Sequence, residues 1–552
     1  WITAACGLGH ADAHNDGNNV LWGASFHGHL AVVQWIVGHP GFSCDRACDA
    51  HERSFSGACA GGCLAVAQWL AATFGLGPAD ARAWNNDALC QACAGGHLAT
   101  AQWLAGHFGL GPADARVVDN YALRYACAEG HLAVAQWLAA AFGLGPADAR
   151  ADDNYALRWA CENGHLAVAQ WLAAAFGLGP ADARAEDNWA LRHACAGGHL
   201  AVARWLATTF GLGPADARAG DNEALRRACA GGHLAAVQWV VGRFGLTAAD
   251  ARACDDEPMD ALGAACHGGH LAAARWLAAH FGLGPGADAR AALLAACAGG
   301  RFEVARWLAG HFGLGPGDAD HKMLRLVCKE GSVAMVRWFV GAFGVVGASF
   351  RAHGHLILLS SECGCGCGCP PDAADVLRML LSTVCEHGRL ATAQWLVGRF
   401  GLVGAGTHGY GAALAGACTG GHLAVAQWLA AAASLGPEDA RYCDNEALRG
   451  ACAEGHLAVA QWLAAAFGLG PDDARAVDHM ALTAACYRGH LAVAQWLAAA
   501  FGLTAADARG LDNAALRRAC AGGHLATAQW LAGHFGLGPA DARAEDNFAL
   551  RF

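Results

Sequence analysis

No stretch of this sequence reaches the roughly 18 consecutive strongly apolar residues that a membrane-spanning helix needs, because Gln, Arg, His, Gly or Asp interrupts every run. Hydrophobic residues still make up 55% of the 552 residues, much of it alanine, and the chain reads as soluble. Positive charge is scarce as well. Lys and Arg number 36 against 47 Asp and Glu, for a net charge of -11. A polyanion is therefore not the expected main partner, since phosphate binding needs concentrated Lys and Arg, and neither nucleic acid nor membrane is expected. The chain has no phosphate loop, nucleophile elbow or HExxH helix, so no enzyme and no cofactor is expected. It shows no signal peptide or lipidation motif, yet it opens on Trp1 and stops at Phe552 partway through a repeat. It is read as a fragment, so targeting information is not expected to be legible from it.

Cysteine, by contrast, is plentiful. There are 25, and most recur once per repeat, about 34 residues apart. Equivalent residues of stacked helices lie about 8 to 10 Å apart. That exceeds the limit of about 7 Å between Cα atoms for a disulfide. The expectation is a reduced, intracellular, cytoplasmic protein.

The period is set by a tryptophan in a (Q/R)W pair: Trp35, Trp69, Trp103, Trp137, Trp171, Trp205, Trp239, Trp276, Trp307, Trp338, Trp395, Trp428, Trp462, Trp496 and Trp530. Steps of 34 give way to 37, 31, 31, 57 and 33 before 34 returns, which makes fifteen repeats and the start of a sixteenth at residues 546–550. Within one unit, Leu157, Ala160 and Cys161 form an inward helical stripe, with Tyr155, Arg158, Trp159 and Glu162 on the other side. Gly164 suits a left-handed helix end, and His165 opens a second helix, HLAVAQWLAAAF, apolar nearly all round and expected to be buried. In FGLGPADARA, Gly179 and Pro180 start a short helical turn with Asp182 in its first turn; the LTAADAR variants replace this with a capping-box-like start. Two helices and a loop cannot bury their faces alone, so the units must stack into a solenoid.

The segment ALRWACENGHLAVAQWLAAAFG resembles an ankyrin repeat, with Ala156, Leu157, Arg158, Ala160, Cys161, Gly164, His165, Leu166, Val168 and Leu172 at the family's pattern positions. It is most similar to the degenerate DNxALRxACxxGHLxVxxWL arrays of protists and their large DNA viruses. The family's Thr-Pro start is absent, and FGLGPADARA stands in place of its Gly-Ala-Asp hairpin. The resemblance implies an all-α, ankyrin-like helical repeat solenoid with little or no β. The expected organisation is repeats 1–10 over residues 1–340, a Gly/Cys-rich inserted loop over 341–376, and repeats 11–15 with the start of a further one over 377–552.

Three features could carry chemistry. The recurrent Cys and His, as in Cys93 and His97, have metal-ligand character, but a metal wants three or four converging ligands. The His position is also Cys63, Arg301, Ser332 or Arg389 elsewhere, and arginine is a poor ligand. These residues are expected to be packing: Cys in a small core slot, and His bonding the backbone at the helix junction. Cys363, Cys365, Cys367 and Cys369 could hold Zn²⁺ or Cu(I), although paired CxxC knuckles are the usual zinc geometry and a low-complexity Gly-Cys loop is the plainer reading.

The third feature is a cluster of aromatics and arginines between residues 84 and 193, on the outward side of the first helices. It comprises Trp84, Tyr121, Tyr125, Tyr155, Trp159, Trp189 and His193 with Arg124, Arg158 and Arg192. Such residues dominate binding hot spots. The competing reading is that they fill gaps between helices, with Arg paired to Asp119, Asp153 and Asp187. In an ankyrin-like stack the first helices line the concave surface, so the expectation is a monomeric, non-enzymatic scaffold binding a protein partner there. Two alternatives are an adaptor, such as a ubiquitin-ligase substrate recruiter whose effector segment lies elsewhere, and a metal-binding protein using the Cys363–Cys369 loop.

Overall fold

The computed structural model describes residues 21–38, 50–253, 259–343, 373–400 and 410–537. Among these residues every regular element is helical. The chain divides into two compact units, Trp1–Gly284 and Pro285–Phe552.

A unit from the first half shows how the sequence produces the fold. Pro146–Ala149 is a single helical turn, Ala151–Glu162 the first helix and Leu166–Phe176 the second. Proline at the first position suits a helix start because its missing N–H needs no partner there. The first helix opens on a sharp left-handed turn: Asp152, Asp153 and Asn154 have φ of 53, 50 and 62°. Each such residue costs about 1–2 kcal/mol, least for Asn and Asp, whose short polar side chains bond locally. The same three-residue turn recurs at Val118–Asn120, Glu186–Asn188 and, in the second unit, Cys443–Asn445. It is the structural meaning of the repeated DN.

Gly164, at φ 80°, ends the first helix as expected, and His165 precedes the second. First helices pack on first helices of the next repeat and on their own second helix. Leu157, Ala160 and Cys161 are fully buried there, together with Ala169 and Leu172 of the second helix. That second helix is not buried all round. Ala167, Gln170, Ala174 and Ala175 face solvent, a surface that alanine sustains through its helix propensity. Trp171 is half-buried and packs edge-on against Phe176, with ring centroids 5.4 Å apart.

Within the second unit, the 31-residue spacing has a visible consequence. Between Phe302–Phe312 and His321–Glu330 the loop helix is missing, and Asp320 instead caps the next helix by accepting the Met323 amide at 2.9 Å. Further on, Tyr442–Ala453, Leu457–Phe467 and Pro471–Tyr487 restore the regular plan. The Gly/Cys-rich run at 363–369 and the start of the sixteenth repeat lie outside the described residues. The helix after the insertion begins at Ala373.

Candidate partner-binding face

The Cys and His ladder resolves into packing. Cys93, Cys127, Cys161 and Cys195 are fully buried and free, and burial pushes the Cys195 thiol up to about 12. His97 Nε2 lies 2.9 Å from the Ala60 carbonyl of the preceding repeat. Where cysteine takes the histidine's place, Cys63 Sγ meets the equivalent Phe26 carbonyl at 3.4 Å; where arginine does, Arg389 Nε donates to the equivalent Lys329 carbonyl at 3.0 Å. Three unlike side chains share the position because its task is to donate a hydrogen bond across the repeat boundary. The imidazole also fills the space beside the preceding repeat's glycine: a Cβ on Gly164 would stand 2.5 Å from His199 Nδ1.

A second inter-repeat connection runs through the loop helices, and sequence reasoning missed it. The loop aspartate accepts the amide at the start of its own helix, as Asp182 does from Gly179 at 2.8 Å, and pairs with the arginine that ends the previous loop helix. Arg116 meets Asp148 at 2.8 Å, Arg150 meets Asp182 at 2.7 Å and Arg184 meets Asp216 at 2.6 Å; Arg441–Asp473 and Arg475–Asp507 do the same in the second unit. The left-handed-turn Asn joins in, with Asn154 bonding Asp182. The recurrent DAR, spaced by 34 residues from Asp80 to Asp250 and again from Asp439 to Asp541, was the signal that could have revealed it.

The aromatic residues singled out between 121 and 193 come together as one run. Tyr121 stacks on Tyr125 at 4.1 Å, Tyr125 meets Tyr155 at 5.6 Å, and Tyr155 stacks on Trp159 at 5.4 Å. Trp159 then meets Trp189 at 6.3 Å, and Trp189 lies flat on His193 at 3.9 Å. Five rings are half-exposed while His193 is buried, facing Glu162 Oε2 at 3.2 Å. Burial, opposed by Glu162, pulls the His193 pKa down. Trp84 stands apart, exposed, with its indole N–H on Glu52 at 3.1 Å.

The arginines have internal duties. Arg124 is buried and paired with Asp152, and Arg192 is paired with Glu223, so the partners are not the expected Asp119, Asp153 and Asp187. Arg158 Nη2 donates at 3.0 Å to the Asp152 carbonyl, six residues back, and so holds the left-handed turn. Arg449 and Arg517 make the same bond at 2.8 and 2.9 Å in repeats without the aromatics. The guanidinium therefore belongs to the repeat, and the rings are what distinguish this region.

Elsewhere, Val333, Arg337, Gln394 and Trp395 line part of an open groove of about 870 Å³ in the second unit. Among the described residues, His51, Glu52 and Asp80 form a group that could hold a metal ion. Two of its members are engaged: Glu52 accepts from Trp84, and Asp80 accepts the Gly77 amide at 2.7 Å. The candidate ligands Cys363, Cys365, Cys367 and Cys369 lie outside the described residues.

A family model described as ankyrin repeats (3 copies) matches residues 123–216 and again 225–320. Over these two segments the chain is similar to ankyrin repeats. The ring run overlaps the first matched segment. Among solved structures, the pentatricopeptide repeat protein PPR10 from maize aligns over 95% of this chain and 74% of its own, at 13% identity and a TM-score of 0.30. No curated protein matches the chain. Among the described residues no helix is long and apolar enough to cross a membrane.

Proposed function

We propose that this chain is a non-enzymatic, monomeric, intracellular scaffold that holds a protein partner on the face of its first helices, chiefly repeats three to six. Ankyrin repeats generally mediate protein–protein interaction, and stacked repeats provide extended binding surfaces. The observation that carries the reading is the unbroken run from Tyr121 to His193, whose rings are, among the described residues, confined to these repeats while the arginines beside them recur without rings. Half-exposed, mutually stacked Tyr and Trp offer area and rigidity at little entropic cost on binding.

Affinity capture from source cells with the wild-type chain and with a Tyr155→Ala/Trp159→Ala variant tests it. Capture should fall at least tenfold with the helical circular dichroism signal unchanged. Undiminished capture by a folded variant would place the binding face elsewhere.

A further inference from the structure

The rims of the ring run carry one sign of charge. Each repeat sets an exposed aspartate two residues before a ridge ring: Asp119 before Tyr121, Asp153 before Tyr155, and Asp187 before Trp189. At the other end of the first helices, Glu129 is exposed, and half-exposed Glu162 accepts the Trp189 indole N–H at 3.0 Å. The arginines on the same helices are engaged by the chain itself, Arg124 to Asp152, Arg192 to Glu223 and the half-buried Arg158 to a carbonyl. The chain's two lysines, Lys322 and Lys329, lie in the other unit.

Two of the rings already lie against guanidinium groups of the chain itself. Arg124 sits over the Tyr155 ring at 4.7 Å and Arg158 over Trp189 at 5.4 Å. A Tyr or Trp face attracts a cation through its quadrupole, and the aliphatic stems of Lys and Arg pack on such rings while their heads reach outward. Here the heads would meet the carboxylate rims.

Resting on the scaffold reading above, we propose that the partner presents an extended, Arg- and Lys-rich segment that lies along Tyr121–His193 with its cationic heads toward Asp119, Asp153, Asp187 and Glu129. Six rings at steps of 3.9 to 6.3 Å match about eight residues of extended chain.

The test uses the full chain and a fluorescein-labelled decapeptide of alternating Arg and Ala, with a Glu/Ala decapeptide as counterpart, read by anisotropy. The basic peptide should bind, weaken as salt rises, and lose at least tenfold in affinity both with Tyr155→Ala/Trp159→Ala and with Asp119→Asn/Asp153→Asn/Asp187→Asn. Asparagine tolerates the left-handed backbone at those positions, so the second variant should fold. Removing three aspartate charges from the other unit with Asp444→Asn/Asp472→Asn/Asp478→Asn should change nothing. No binding, equal binding of the acidic peptide, or equal losses in the two charge variants would overturn the proposal. If cellular capture still depends on Tyr155 and Trp159 in that case, the scaffold reading stands and only the cationic partner falls.

Discussion

Arg184 and Asp216 join consecutive repeats through a two-pronged pair, Nε to Oδ1 at 2.6 Å and Nη2 to Oδ2 at 3.0 Å. The same carboxylate also accepts the Gly213 amide at 2.8 Å, so one side chain both starts a loop helix and ties it to its neighbour. Fork-to-carboxylate geometry of this kind fixes orientation as well as adding energy.

Asp216→Asn should therefore destabilise the chain by about 1 kcal/mol at neutral pH. Arg184, outweighing the effect of burial, holds the Asp216 carboxyl below its ordinary range. A depressed folded-state pKa contributes stability above the unfolded value, and that stability is lost as pH falls through the folded value. The difference in Tm between wild type and variant should be full at pH 7 and shrink below about pH 4. A constant difference across that range would show that the ion pair is not its source.

Two glycines with left-handed backbones should respond unequally to alanine. Gly177 has φ 60° and nothing within 4 Å of an added Cβ, so Gly177→Ala should cost only the backbone strain of about 1–2 kcal/mol. Gly164 has φ 80° and the His199 ring 2.5 Å from the added carbon. Gly164→Ala should cost measurably more in urea denaturation. Equal losses would mean that the imidazole moves aside freely.

The thiols should sort by depth. In native protein, iodoacetamide should modify Cys443, exposed among the described cysteines, well before Cys161 and Cys195, which should stay unlabelled until unfolding because thiolate is the reactive form and burial suppresses it. Peptide mapping reads this out. Rapid native labelling of Cys161 would contradict its placement in the core.

Arg158→Lys and Arg449→Lys should destabilise the protein by similar amounts, about 1 kcal/mol each. A lysine cannot reproduce the guanidinium donor to the carbonyl six residues back, which both arginines provide. Thermal denaturation compares them. A loss at Arg158 alone would tie that residue to the ring run rather than to the repeat.

Much of the fold was legible from local chemistry. Leu157, Ala160 and Cys161 recur at helical spacing, Gly164 can enter a left-handed helix end without a Cβ clash, and Gly179-Pro180 can open a helix. Thr247 and Asp250 form the capping box that their spacing implies, with the Thr247 amide donating to Asp250 at 2.7 Å. The burial of the second helix was misread because alanine counts as apolar yet is small enough to stand in water at little cost. The partners of Arg124 and Arg192 were misassigned because Asp152 and Glu223 become their neighbours only after the left-handed turn redirects the chain.

The sequence by itself determined that this is a helical repeat array, because periodicity and end signals act within a few residues of one another. It also marked the rings between 121 and 193 as exceptional, since they depart from the repeat. Only the tertiary structure decided that His97, Cys63 and Arg389 serve one purpose, that Asp216 reaches back to Arg184, and that six separate rings touch in order. Each of those relations depends on contacts across a repeat boundary, in the ring run at Tyr125–Tyr155 and Trp159–Trp189. The distance between groups roughly 30 to 60 residues apart is set by how the helices stack, which no local pattern specifies.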